Sequence, residues 1–343
     1  MQPARHRRRT AVIAAACVAA AFVTSAAAQP APALDLSAST IVDLTHAYDE
    51  RTIYWPTERA TFKLETRAYG KTEGGYFYAA YAFCMPEHGG THLDAPLHFG
   101  EGKQAAHEVP LERLVGPAVV IDVSDRAAKD PTYRVAPDDV LAFEQQHGRI
   151  EPGTIVLVRT GWSRHWPNRK AYLGDDTPGD ASKLRFPGYG IEAARLLVEE
   201  RRVATLGIDT ASLDYGPSQD FLVHRAAAAQ NVPGLENLTG LEALPPRGAT
   251  VIALPMKIAG GSGGPVRVIA LVPRAEAGRK TEGPRRSSGN GIGGRSYLPV
   301  ERGHSRVSCR ARVRRNVPPL PMSRAGHDRW IPAAHGVCEP CTT

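Results

Sequence analysis

Five short runs of β-branched and aliphatic residues, at 40–44, 118–123, 154–158, 204–209 and 251–254, are bounded by turn residues and read as buried strands. Two other stretches carry a helical period. Residues 137–144 open on Pro137 and place Asp138 and Asp139 in the first turn, and residues 190–202 set Ile191, Ala194, Leu197 and Val198 at helical spacing. Strands alternating with helices predict one α/β domain over residues 40–273, within the size range of a single core. No internal repeat is present. The glycines at 260–264 lack the strand-turn-helix setting and the Lys of a phosphate loop, which argues against nucleotide binding.

The pattern changes at both ends. Arg5 to Arg9 form a basic start, residues 10–23 are Ala- and Val-rich, and Ser25-Ala26-Ala27-Ala28 is a small-residue cleavage site, so residues 1–28 read as a secretion signal cut near Ala28. The apolar run is too short to span a membrane. The mature chain is therefore expected in the periplasm or outside the cell, after a linker at 29–39. From Arg274 to the end Arg, Gly, Pro and Ser dominate with neither helical nor strand period, which predicts a disordered basic tail, possibly a non-homologous or out-of-frame extension.

Those ends distort the charge. The full chain has 42 Lys plus Arg against 35 Asp plus Glu, a net of +7 that would point to acidic partners. Residues 29–273 alone hold 24 basic and 30 acidic residues, so the body is mildly acidic and nucleic acid is excluded as its partner. Cys84 is the single cysteine of that body, so no disulfide framework is expected.

The chemistry concentrates at His88-Gly89-Gly90-Thr91-His92-Leu93-Asp94-Ala95-Pro96-Leu97-His98. Three imidazoles and a carboxylate in eleven residues are the donor set of a divalent metal site. Gly89-Gly90, the β-branched Thr91 and Pro96 oppose a helix, so the stretch reads as a Gly-rich turn leading into extended chain, where His92, Asp94 and His98 can converge. Elsewhere Asp209 to Asp214 follows an apolar run and reads as a turn in which Asp and Ser bond their own backbone. His107, His147 and His165 lack ligand spacing and read as solvated side chains.

The motif resembles the cyclase family of metal-dependent hydrolases, which includes bacterial kynurenine formamidases and isatin hydrolases. The family pattern is His-x3-His-x-Asp-x3-His followed far downstream by a His and, twelve positions later, a Glu, here His224 and Glu236. The resemblance implies that His88, His92 and Asp94 hold one metal, Zn2+ or Mn2+. It also implies that Asp94 and Glu236 bridge to a second where present, with His224 on that second ion, and that His98 is the proton donor and acceptor. Trp55, in 52–57, matches a substrate-contacting position, and Gly74 to Tyr78 with Cys84 look more like the isatin-hydrolase branch. The implied fold is a compact α/β domain around a β-barrel-like mixed sheet with flanking helices, assembled as a homodimer or homotetramer. The implied reaction on a small-molecule substrate is opening of the C–N bond of an aryl or cyclic amide by metal-activated water. For His98 an ordinary pKa of about 6.5 would suit the proton transfer. The same site would also serve a lyase, a cyclase or a lactone hydrolase, and a non-catalytic metal-binding protein is a further alternative.

Overall fold

The computed structural model describes residues 35–274. The expected secretion signal, most of the linker and the basic tail lie outside those residues. Within them the apolar runs are strands: β1 (Ser39–Asp43), β5 (Val115–Asp122), β7 (Ile155–Arg159), β9 (Thr205–Ile208) and β11 (Arg247–Pro255). They are joined by β4 (His92–Asp94), β10 (Gly234–Glu236) and β12 (Gly263–Pro273). The order β12-β11-β5-β7-β9-β10-β4 returns from β4 to β12, so seven strands close into a mixed barrel, and β1 pairs with β12 outside the ring. The β-barrel-like mixed sheet with flanking helices is therefore present. Two short parallel strands, β6 (Arg134–Val135) and β8 (Gly188–Tyr189), sit apart from it.

Strands β5, β7 and β9 run parallel and are buried on both faces, which is why their sequences are continuous apolar runs rather than alternating ones. One face, with Val120, Ile155 and Leu157, joins Leu93, Leu235, Val251 and Val268 in one buried cluster. The other face, with Ile121, Val156, Val158 and Leu206, packs under Val140 and Phe143 of the helix Pro137–His147 and under Ala194 and Leu197. The helical stretch at 190–202 divides into an α-helix at Ile191–Arg195 and a π-helical turn at Leu196–Glu200. No helix among the described residues is long and apolar enough to cross a membrane.

A separate two-stranded ribbon, β2 (Lys63–Lys71) and β3 (Phe77–Cys84), leaves the barrel just before the His-rich motif. The residues at 74–78 form its tip and the start of β3.

His46 stacks on Trp166 with ring centroids 4.3 Å apart, and burial pushes its pKa down to about 4. In the unfolded chain the ring takes a proton near pH 6.5, so between about pH 6.5 and 4 unfolding binds a proton the folded state refuses. Stability is complete above that window and falls as pH drops through it. His46→Phe keeps the stack and removes the titration. Between pH 7 and pH 5 the wild type is expected to lose on the order of 1 kcal/mol more than this variant, allowing for solvent screening, as read from denaturant midpoints.

Candidate metal centre

Strand β4 is only three residues long, yet it is the seam that closes the barrel. Its alternation puts His92 and Asp94 on the same side, and pairing with β10 sets Glu236 directly opposite His92. Asp94 faces a glycine on each neighbouring strand, Gly234 on β10 and Gly263 on β12. A Cβ on Gly263 would stand 2.6 Å from His88 Cε1, so this glycine leaves the room in which an imidazole approaches Asp94. Pro96–His98 then turns as one 3-10 helix and brings His98 back over the strand end.

Six sequence-predicted residues meet there. His88 Nδ1 lies 2.6 Å from Asp94 Oδ1, and His92 Nε2 lies 3.1 Å from the same oxygen and 3.6 Å from Glu236 Oε2. His224 Nε2 is 3.1 Å from both Asp94 Oδ2 and Glu236 Oε1. The His98 ring stacks on His88 at 3.7 Å. Donor atoms of His92, Asp94 and Glu236 lie within 4.8 Å of one another, as do those of His88, Asp94 and His98. His224 comes from the helix Leu222–Ala229, so residues more than 130 positions apart in sequence share one centre.

The electrostatics of these side chains fit a bound cation. Burial pushes Glu236 up, as does the charge of Asp94 beside it. Burial would also raise Asp94, but the neighbouring imidazoles hold it well below its usual range. Burial disfavours protonated His92 and His224. The carboxylates around them outweigh it, taking His92 to about 9 and His224 well above its ordinary value. Two buried carboxylates therefore require about two positive charges, and a divalent ion ligated by neutral imidazoles supplies the same charge. The donor set of imidazole nitrogen and carboxylate oxygen suits a divalent metal ion.

His98 departs from expectation. Burial, reinforced by the His88, His224 and His92 rings and opposed only by Asp94, pushes it to about 4 rather than about 6.5. At neutral pH it is an unprotonated base.

Outer contacts that the sequence reading did not assign hold the donors in place. Asp214, expected to serve only its own turn, receives hydrogen bonds from the backbone N–H groups of Val223 and His224 and lies 2.6 Å from His224 Nδ1. It caps the start of the helix and aims the ring together. Asp209, five residues earlier, does not serve only its own turn either: it accepts from Thr160, Gly161 and Trp162 in the segment after β7. Ser262, in the glycine-rich stretch at 260–264, reaches His88 Nε2 at 2.8 Å while donating its hydroxyl to Glu87 at 2.7 Å. Asn237 donates to the Gly90 carbonyl and accepts from Tyr172. Asp214→Asn retains an acceptor for the helix cap and loses the charge that fixes the imidazole. A ten- to hundredfold weaker affinity for Mn2+ or Zn2+, measured by competition with a chelating dye, is the expected result.

The centre opens into a cleft of about 510 Å3. Trp55 lines it and packs against Phe186 and Phe221, with ring centroids 6.4 and 6.0 Å away. Phe99 lines it too, with its ring centroid 4.5 Å from that of His98 and 4.6 Å from that of His224, as does Ser212. His107 and His147 are exposed and His165 packs on Trp162, all away from the cleft.

Comparisons with known proteins identify the family. The profile of the Cyclase family matches residues 42–215. The chain is 35% identical over 209 residues to an isatin hydrolase of Roseibium aggregatum, covering 59% of this chain and 78% of that protein. It is 29% identical over 231 residues to a kynurenine formamidase of Salinibacter ruber, covering 67% and 96%. Among solved structures, isatin hydrolase A from Labrenzia aggregata superposes with a TM-score of 0.64 at 34% identity, over 69% of this chain and 95% of that one. The closed seven-stranded barrel, the His-rich seam and the matched profile together place the chain in the cyclase family, and it belongs to that family of metal-dependent hydrolases.

Proposed function

We propose that the protein is a divalent-metal-dependent hydrolase that opens the C–N bond of a small, uncharged aryl or cyclic amide, as the isatin hydrolases it resembles do with isatin. The observation that carries this reading is the donor cluster of buried His92, Asp94, His224 and Glu236 with half-buried His88 at the floor of an aromatic-walled cleft, and His98 beside it. One or two ions per subunit, zinc or manganese, fit two donor groups that share Asp94.

Held by His88, His92, Asp94, His224 and Glu236, an ion would supply polarisation of the amide carbonyl and a water whose pKa is lowered from near 16 toward about 7. The remaining work falls to the chain. Trp55, Phe99 and Phe221 hold a flat ring by stacking and exclude bulk water from the floor. His98, unprotonated at neutral pH, takes the proton from the attacking water and hands it to the departing nitrogen.

The charge of the cleft favours a cyclic amide over an aryl formamide with an amino-acid end. No Lys or Arg lines it among the described residues, whereas Glu58 and Glu87 do, beside Asp94 and Glu236. With Asp94 and Glu236 engaged by the ion, a substrate carboxylate along the wall would face Glu58 and Glu87 with no Lys or Arg to pair it, so a neutral ring enters more readily. An exported enzyme of this kind suits scavenging or detoxification of such amides.

The test is a mass-resolved screen of isatins, aryl formamides and lactones with the Mn2+- or Zn2+-loaded protein. Turnover of a cyclic amide to a product heavier by one water is expected. A product of unchanged mass would make the site a lyase or cyclase, and ion binding without turnover in any group would make it a binding protein.

A further inference from the structure

Ser212 is a polar side chain of the cleft that the metal centre leaves without a role. The residue is buried, only 3% exposed, yet it lines the cleft. It follows β9 in the stretch Asp209 to Asp214, where a serine ordinarily spends its hydroxyl on a group close in sequence. Ser37, Thr132 and Ser182 do so in their own turns, each donating to an aspartate two residues earlier at 2.6–2.8 Å. Ser212 differs. Its carbonyl accepts from the Thr210 hydroxyl at 3.0 Å, but no group among the described residues bonds its own hydroxyl.

The backbone on either side is fixed. Leu213 N–H donates to Glu236 Oε1 at 2.7 Å, the Leu213 carbonyl accepts from Tyr189, and the Thr210 carbonyl accepts from Asn237. Ser212 is thus held one residue from a bond to a carboxylate of the metal centre. Asn237, which also lines the cleft, has its amide committed to Gly90 and Tyr172. A buried hydroxyl without a partner costs free energy, and on a cleft wall what enters the cleft supplies that partner.

We propose that the Ser212 hydroxyl is a substrate-binding donor that selects cyclic amides carrying a second carbonyl beside the scissile one. The proposal rests on the hydrolase reading above, which gives the scissile carbonyl to the ion. Because Ser212 adjoins the residue bonded to Glu236, its hydroxyl serves the ring atom next to the scissile carbonyl rather than the far edge of the ring. A hydroxyl also accepts, but the ring N–H is the departing nitrogen and falls to His98. The neighbouring carbonyl, an uncharged acceptor, is the group a neutral donor fits.

Calorimetric titration of the Mn2+-loaded full chain with two acids tests the proposal. One is 2-aminophenylglyoxylate, the ring-opened product of isatin, and the other is 2-aminophenylacetate, in which a methylene replaces the ketone. Their rings and carboxylates are alike, so the ratio of their Kd values reads the ketone alone. The wild type is expected to bind the keto acid roughly tenfold more tightly. Ser212→Ala should lose that preference while keeping wild-type affinity for the methylene acid and wild-type Mn2+ occupancy, which shows its cleft intact. A preference that survives in Ser212→Ala, or none in the wild type, overturns the proposal and leaves the hydrolase reading standing. Binding of neither acid by the wild type overturns both.

Discussion

Asp94→Ala is expected to strip the protein of its divalent ion and of its turnover together, the latter by roughly three to four powers of ten or more. Asp94 is the carboxylate on which both donor groups converge, with Oδ1 2.6 Å from His88 and 3.1 Å from His92 and Oδ2 3.1 Å from His224. Its removal leaves three imidazoles facing Glu236 alone, which no longer offsets two positive charges in a buried site. Loss of the carboxylate also releases the imidazoles from one another, so a cavity variant is open to the objection that it misfolds. Asp94→Asn answers it, because it keeps the volume and loses the charge. Equilibrium dialysis with Mn2+ or Zn2+ should show both variants far below the wild-type occupancy, with the Asn form retaining a native unfolding transition. Full occupancy in either would remove Asp94 from the donor set.

His98→Ala is the complementary experiment, expected to keep the ion and lose two to four powers of ten in kcat. The ring stands over His88 at 3.7 Å and reaches the cleft, and its depressed pKa leaves it free to accept a proton at pH 7. Because its nitrogens also fall within ligand distance of His88 and Asp94, the same dialysis separates two roles. Retained ion with lost turnover makes His98 the acid and base. Lost ion makes it a ligand.

Much of this centre was legible in the sequence because its donors are close in the chain or held at a fixed spacing. His88, His92, Asp94 and His98 lie within eleven residues, and His224 and Glu236 stand twelve apart. The barrel strands β5, β7 and β9 were legible for a different reason, since burial on both faces forces uninterrupted Val, Ile and Leu. Closure of the barrel was not, because the closing strand β4 has three residues and no periodicity of its own. Nor was the ribbon, whose Phe77-Tyr78-Ala79-Ala80-Tyr81-Ala82-Phe83 pairs with β2 alone and stays outside the barrel. Asp214 and Ser262 escaped because each looks like an ordinary turn residue locally, and only long-range folding brings them to His224 and His88. The environment of His98 escaped likewise, since burial, with the distant His224 joining its motif neighbours His88 and His92, lowers its pKa, and burial is set by the fold.

The account turns on a divalent ion held where β4 closes the barrel, and reconstitution measures it most directly. The full chain is stripped with a chelator, then titrated with Mn2+ or Zn2+ while bound ion per chain and turnover of a cyclic amide are read from the same samples. Turnover should be absent in the stripped protein and rise in proportion to bound ion, saturating at one or two per chain. Undiminished turnover in protein shown to hold no ion would contradict the account.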